Sequence, residues 1–184
     1  MQDTLPIHFA PLQGYTEAIY RNAHDAFFGG VDTYYTPFVR LEKGNFRRRD
    51  VRGIEPENNG VTHLIPQLIA SSAEKAEVIL SLFIEKGYQE VDINLGCPFP
   101  LLAKRHNGSG ILPYPEEVKA LLSIVTRYPQ ISFSVKMRLG WEQPDECLAL
   151  APILNDLPLR QITMHPRLGK QGYKGEVDLQ GFSA

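Results

Sequence analysis

The chain has 184 residues, 43% hydrophobic and 22% charged, with a formal net charge of −2. This suits one globular domain that can bury a core without disulfides or metals, and no metal site is expected. No run of about 18 apolar residues occurs, which excludes a membrane-spanning helix, and the near-neutral charge leaves any polyanion partner to local patches.

Leu5 to Ala10 is short and mostly apolar, is closed by Pro11, and reads as a buried strand. The residues before it, with Pro6, lack the basic and apolar regions of a signal peptide. Thr16 is placed to cap a helix whose Ile19, Ala23, Ala26 and Phe27 share one face, and Gly29-Gly30 ends it. Val31 to Phe38 is a second strand. Residues 40–60, with Arg47, Arg48, Arg49 and Arg52, are polar and aperiodic and predict a loop with at most a short helix. Val61 to Ile69 is a third strand.

Ser71 and Glu74 form a capping box ahead of Ala76, Ile79, Leu80 and Phe83 on one helical face, with a left-handed exit at Gly87. Glu90 to Leu95 is a fourth strand. A glycine-rich loop over 96–113 leads to a helix from Pro115 with Val118, Leu121, Leu122 and Val125 facing the core. Ile131 to Arg138 makes a fifth strand, a helix follows over about 144–156 with Pro152 inside it, and Arg160 to His165 makes a sixth strand.

Strands alternating with helices imply βαβ units and a parallel sheet. No Gly-x-Gly-x-x-Gly follows the first strand, which disfavours a dinucleotide fold. Polar residues instead collect at successive strand C-termini: Gln67, Asn94 with Cys97, Lys136 with Arg138, and His165 with Arg167. A ring of such residues is where a parallel β/α (TIM-type) barrel puts its chemistry, whereas a doubly wound sheet concentrates it at one crevice. The expected fold is therefore a TIM-type barrel, truncated after about six strands, because eight take about 250 residues. Two cysteines, Cys97 and Cys147, make no disulfide framework and point to a reducing, cytoplasmic setting.

The segment Asp92-Ile-Asn-Leu-Gly-Cys97-Pro resembles the flavin-dependent tRNA-dihydrouridine synthases. Further ordered blocks agree: Ala10-Pro-Leu-Gln-Gly-Tyr-Thr16 with Tyr20-Arg21, Gln67-Leu68, Lys104-Arg105 through Gly108 to Leu112, Val135-Lys136-Met-Arg138-Leu-Gly140, and His165-Pro-Arg167 through Gly175. Ala70 and Ser71 stand where a glycine usually follows, and Pro166 replaces another. The family's last two strands, with the turns that hold the flavin phosphate, and its helical tRNA-binding domain have no counterpart here. The 184-residue chain is accordingly expected to hold FMN weakly and to self-associate through open barrel edges.

The resemblance implies reduction of the uridine C5=C6 bond in tRNA by FMN recharged by NADPH. Cys97 is then the acid that protonates C5, a role a thiol can fill uncharged in an apolar pocket. An arbitrary cysteine is more often a buried small hydrophobe; Cys147, on a helix beside Leu148 and Leu150, keeps that reading. Lys136 would face the flavin edge where reduction builds negative charge, His165 would donate to the flavin or its phosphate, and Gln67 and Asn94 would bond the isoalloxazine edge and the uracil amide. Ala10, Pro11 and Leu12 would touch the flavin through backbone. Lys104, Arg105, Arg138 and Arg167, with Lys170 and Lys174, would neutralise tRNA phosphates, and Tyr173 would stack on a flipped uridine or hydrogen-bond near it. Taken singly, each of these residues also suits a strand end or a solvated loop. Two other functions fit the same residues: another FMN barrel oxidoreductase acting on a free pyrimidine, and a non-catalytic fragment that binds RNA without flavin.

Overall fold

The computed structural model describes residues 5–183. Residues 1–4, part of the segment weighed as a possible leader, lie outside it. Among the described residues no helix is long and apolar enough to cross a membrane.

The chain lays down β1 (His8–Phe9), α1 (Ala18–Phe27), β2 (Thr33–Tyr35), β3 (Leu41–Glu42), β4 (Asn45–Phe46), α2 (Arg48–Ile54), β5 (Leu64–Ile65) and β6 (Gln67–Leu68). It continues through α3 (Ala73–Glu85), β7 (Glu90–Leu95), α4 (Pro100–Ala103), α5 (Pro115–Leu122), α6 (Ile124–Arg127), β8 (Ser132–Gly140), α7 (Glu146–Asn155), β9 (Gln161–Leu168) and α8 (Leu179–Ser183). Strands β1, β2 and β5 pair in parallel in that order, as do β6, β7, β8 and β9. A parallel bridge from Val39 to Leu68 joins the two runs. Together they form the arc of a parallel β/α barrel with six strand positions, the third shared by β5 and β6.

Pro66 explains that shared strand. It has no N–H for the ladder, and the next amide, that of Gln67, donates to Thr36 Oγ1 at 3.0 Å instead of to a carbonyl. The ladder resumes through Val39, whose N–H reaches the Gln67 carbonyl oxygen at 2.8 Å.

Alternation along β7 and β8 decides what faces the barrel axis. Val91, Ile93 and Leu95, with Phe133, Val135, Met137 and Leu139, are fully buried in one apolar cluster with α3, α5 and α7. The intervening Asp92, Asn94, Ser134, Lys136 and Arg138 therefore point to the other face. Register then stacks them: Gln67 opposite Asp92, Asp92 opposite Ser134, Asn94 opposite Lys136, and Arg138 opposite His165.

Several local expectations change. Glu17, not Thr16, precedes the first turn of α1; the Thr16 hydroxyl instead exchanges hydrogen bonds with the Leu12 backbone. The buried face of α1 carries Ala18 and Arg21, while Ile19 and Phe27 are more than 80% exposed. The Arg21 guanidinium takes the inner position by donating to the Thr16 and Gly53 carbonyls and to Asn59 Oδ1. Burial lowers its pKa to about 10. Ser72 rather than Ser71 caps α3, because the Ser71 hydroxyl takes the Lys75 ammonium. Residues 40–60 hold the β3–β4 hairpin besides the short α2, and Pro152 sits inside α7 without ending it.

Candidate active site

The site begins at the upper end of β7. Asn94 Oδ1 accepts the backbone N–H groups of Gly96 and Cys97 at 3.0 and 2.8 Å, which turns the chain sharply as it leaves the strand. Ser109 completes the clamp: its N–H and its hydroxyl both donate to the Cys97 carbonyl oxygen at 3.0 Å. Gly108 has to be a glycine here. Its φ is +60°, and a Cβ on it would lie 2.5 Å from the Cys97 carbonyl oxygen.

Cys97 is half-buried, and that burial pushes its thiol above the ordinary range; the Phe99 N–H and the charges of Arg138 and Arg40 oppose the shift without reversing it. A thiol of this kind is protonated at neutral pH. It suits an acid and does not suit a thiolate nucleophile. Cys147 is buried in α7, its Sγ against the Pro144 carbonyl, as its apolar neighbours suggested.

Arg138 is 1% exposed. It donates to the carbonyls of Gly96, Leu168 and Gly172 at 2.8 to 3.0 Å and lies 5.5 Å from the Tyr173 ring centroid. Its guanidinium braces the Cys97 loop against the turn after β9, so the surface phosphate contact expected of it has no free donor fork to use. Arg167 is similarly engaged, donating twice to the Gly175 carbonyl oxygen and lying 3.1 Å from His165 Nε2.

Pro11, Leu12, Gln67, Asn94, Lys136 and His165 meet around a hollow of about 60 Å³ on the barrel axis, with Cys97, Arg138 and Tyr173 at its rim. Ala10, one residue back, is exposed. Among the described residues no hydrogen bond or ion pair holds the Lys136 ammonium. Burial lowers its pKa, with the Asp92 carboxyl pulling the other way and Arg138 adding to the fall. His165 is pushed down to about 4 by burial and by Arg138, Lys136 and Arg167, so its imidazole is neutral at physiological pH. A half-buried cation without a bonded anion, two carboxamides and a neutral imidazole suit by their chemistry the edge of a planar heteroaromatic that gains negative charge, of which the hollow itself admits only a part.

A wider cleft of about 860 Å³ opens over Cys97, walled by Tyr15, Phe99, Trp141 and Tyr173 and edged by Lys170 and Lys174. Gln13 and Arg40 also line it, each with a buried polar atom, Gln13 Oε1 and Arg40 Nε, that has no protein partner. The residue pattern pointed to neither. Arg40 opens what reads as an aperiodic loop, and in the block that holds Gln13 only Ala10, Pro11 and Leu12 are expected at the flavin, through backbone. Lys104 is exposed beyond the cleft, and Arg105 lines a separate hollow beside Leu41 and Ile79. The structure does not bring these two to the Cys97 mouth.

The family described as Dihydrouridine synthase (Dus) matches residues 8–183. The chain belongs to the dihydrouridine synthase family. Relatives include a probable tRNA-dihydrouridine synthase 1 from Synechocystis, 29% identical over 178 residues, covering 93% of this chain and 48% of that protein. A tRNA-dihydrouridine synthase B from Vibrio cholerae is 31% identical over 120 residues, 65% of this chain and 35% of that protein. A tRNA-dihydrouridine(16) synthase from Haemophilus ducreyi is 28% identical over 180 residues, 92% and 54%. The chain thus spans about half the length, or less, of these dihydrouridine synthases.

Proposed function

We propose that the chain carries the reducing centre of a tRNA-dihydrouridine synthase: FMN on the barrel axis, NADPH as the reductant, and uridine in tRNA as the substrate. The observation that carries this reading is the protonated, half-buried Cys97 on the rim of a hollow that holds Lys136, His165 and two carboxamides. When bound, FMN would supply the hydride that goes to uracil C6. The chain's own residues do the rest. Lys136 brings a positive charge to where the reduced ring would be negative, and His165, with the Nε2 hydrogen of Gln67 that Asp92 does not take, offers polar groups to its edges. Tyr173, Phe99 and Trp141 give a flipped base faces to stack on. The Cys97 thiol then gives its proton to C5, so that one hydride and one proton saturate the C5=C6 bond, and the thiolate regains a proton from solvent.

Lys170 and Lys174 at the cleft edge would meet RNA phosphates, whereas Arg138 and Arg167 hold the frame. The RNA-bearing side of the reading is tested by supplying FMN, NADPH and unmodified tRNA, and in parallel free uracil and dihydroorotate. A two-hydrogen mass gain in tRNA uridine is expected, with no turnover of the free pyrimidines. Turnover of a free pyrimidine instead of tRNA would move the chain to a different flavin barrel activity.

A further inference from the structure

Behind Cys97 runs a chain of side-chain hydrogen bonds whose direction is forced. The amides of Gly96 and Cys97 can only donate, and both converge on Asn94 Oδ1. That leaves Asn94 presenting its Nδ2, which must find an acceptor, and it donates to Gln67 Oε1 at 2.8 Å. Gln67 is thereby turned so that its Nε2 faces Asp92, donating to Oδ2 at 2.6 Å. The other Asp92 oxygen accepts the Ser134 hydroxyl at 2.5 Å. All four side chains are buried, Gln67, Asp92 and Ser134 at 1% exposure and Asn94 at 8%. With the four side chains this enclosed, a carboxamide that flips sets donor against donor or acceptor against acceptor along the chain.

We propose that Asp92 is a positioning residue for Cys97: ionised or protonated, its carboxyl keeps an acceptor oxygen for Gln67 Nε2, which fixes which way Gln67 and then Asn94 face, and so holds the Cys97 loop in its turn. Its consequence for catalysis rests on the proposed function; the geometry does not, and neither does its test. Asp92 is wholly enclosed, and burial raises its carboxyl pKa; Ser134, Gln67 and Lys136 oppose that rise without reversing it. A carboxyl kept at this depth with both oxygens bonded suits a fixed end-point better than a group that exchanges protons during turnover.

Substitutions at Asp92 separate acceptor from charge. In Asp92→Asn, Oδ1 still accepts from Gln67 while Nδ2 donates to the Ser134 oxygen, so the direction of the chain survives. In Asp92→Leu the acceptor is gone. Gln67→Met cuts the chain from the other side while leaving Asp92 its Ser134 hydroxyl, and it serves if Asp92→Leu does not fold. The reading is the rate at which iodoacetamide alkylates Cys97 in the folded protein, located by peptide mass. Cys147, buried in α7, is the internal control for general loosening.

Asp92→Asn should react within about twofold of the unmodified protein, and Asp92→Leu and Gln67→Met about tenfold faster at Cys97, the scale of a lost buried hydrogen bond, with Cys147 unchanged. The proposal is overturned if Asp92→Leu and Gln67→Met leave Cys97 as it was, if both cysteines speed up together, or if Asp92→Asn reacts as fast as Asp92→Leu. Should the alkylation pattern hold while tRNA uridine is not reduced, the positioning role stands and the proposed function fails.

Discussion

His165 shows how far a single side chain departs from its free behaviour. Burial leads the fall of its pKa from 6.5 to about 4, and Arg138, Lys136 and Arg167 add repulsion. As pH drops through 6.5 the unfolded chain takes up a proton that the folded imidazole refuses, so unfolding becomes easier. The stability that neutral His165 contributes is therefore complete above pH 6.5 and is lost between there and about 4. In urea titrations the denaturation midpoint should fall more steeply over that window for the unmodified protein than for His165→Gln. Parallel curves would show that burial and the three cations do not depress this imidazole. The residue was readable as polar and at a strand end, but its neutrality was not. That depends on Lys136 and Arg138 being on the next strand in register, which only the fold supplies.

At the scale of the element, the loop after β7 is held by backbone contacts as much as by side chains. Gly108→Ala should cost about 1–3 kcal/mol, the usual range for overpacking, and more if the left-handed backbone cannot relax. Chemical denaturation of this variant beside Gly44→Ala separates the two causes, because Gly44 also has a positive φ but nothing within 4 Å of where a Cβ would sit. Equal losses would assign the whole effect to backbone strain. Elements with strong periodicity were legible: β7 matches its sequence reading end to end, and the apolar faces of α3 and α5 are the buried ones. Elements whose buried side is polar were not. In α1 hydrophobic periodicity picked out Ile19 and Phe27, whereas burial went to Arg21, which meets two carbonyls and an amide oxygen that an apolar residue would leave unpaired. The β3–β4 hairpin, two residues a side around Gly44, is too short to show alternation. Arg138 was misplaced for a related reason: a long cation at a strand end reads as a surface contact until three carbonyls are found around it.

At the scale of the molecule, six strand positions form an arc and not a closed ring. Among the described residues β1 pairs with β2 alone and β9 with β8 alone. Leu5, ahead of β1, and Ile19, Phe27 and Phe28, in and just after α1, are each more than 80% exposed. Unpaired parallel edges and exposed apolar side chains favour docking against a second copy, the β1 edge of one chain meeting the β9 edge of another. The isolated 184-residue chain should therefore sediment as a concentration-dependent associating species, and Ile19→Lys with Phe27→Lys should shift it towards monomer. A monodisperse monomer at all concentrations would refute this.

The proposed function turns on delivery of one proton by Cys97, held by the loop after β7 and the glycine turn at 108. The measurement that bears on it most directly is a single-turnover assay with excess pre-reduced FMN and unmodified tRNA, comparing the unmodified protein with Cys97→Ala. Dihydrouridine should form with the thiol present and about 10²–10⁴ times more slowly without it, the usual worth of a general acid, while flavin binding is unchanged. Equal rates in the two proteins would contradict the account.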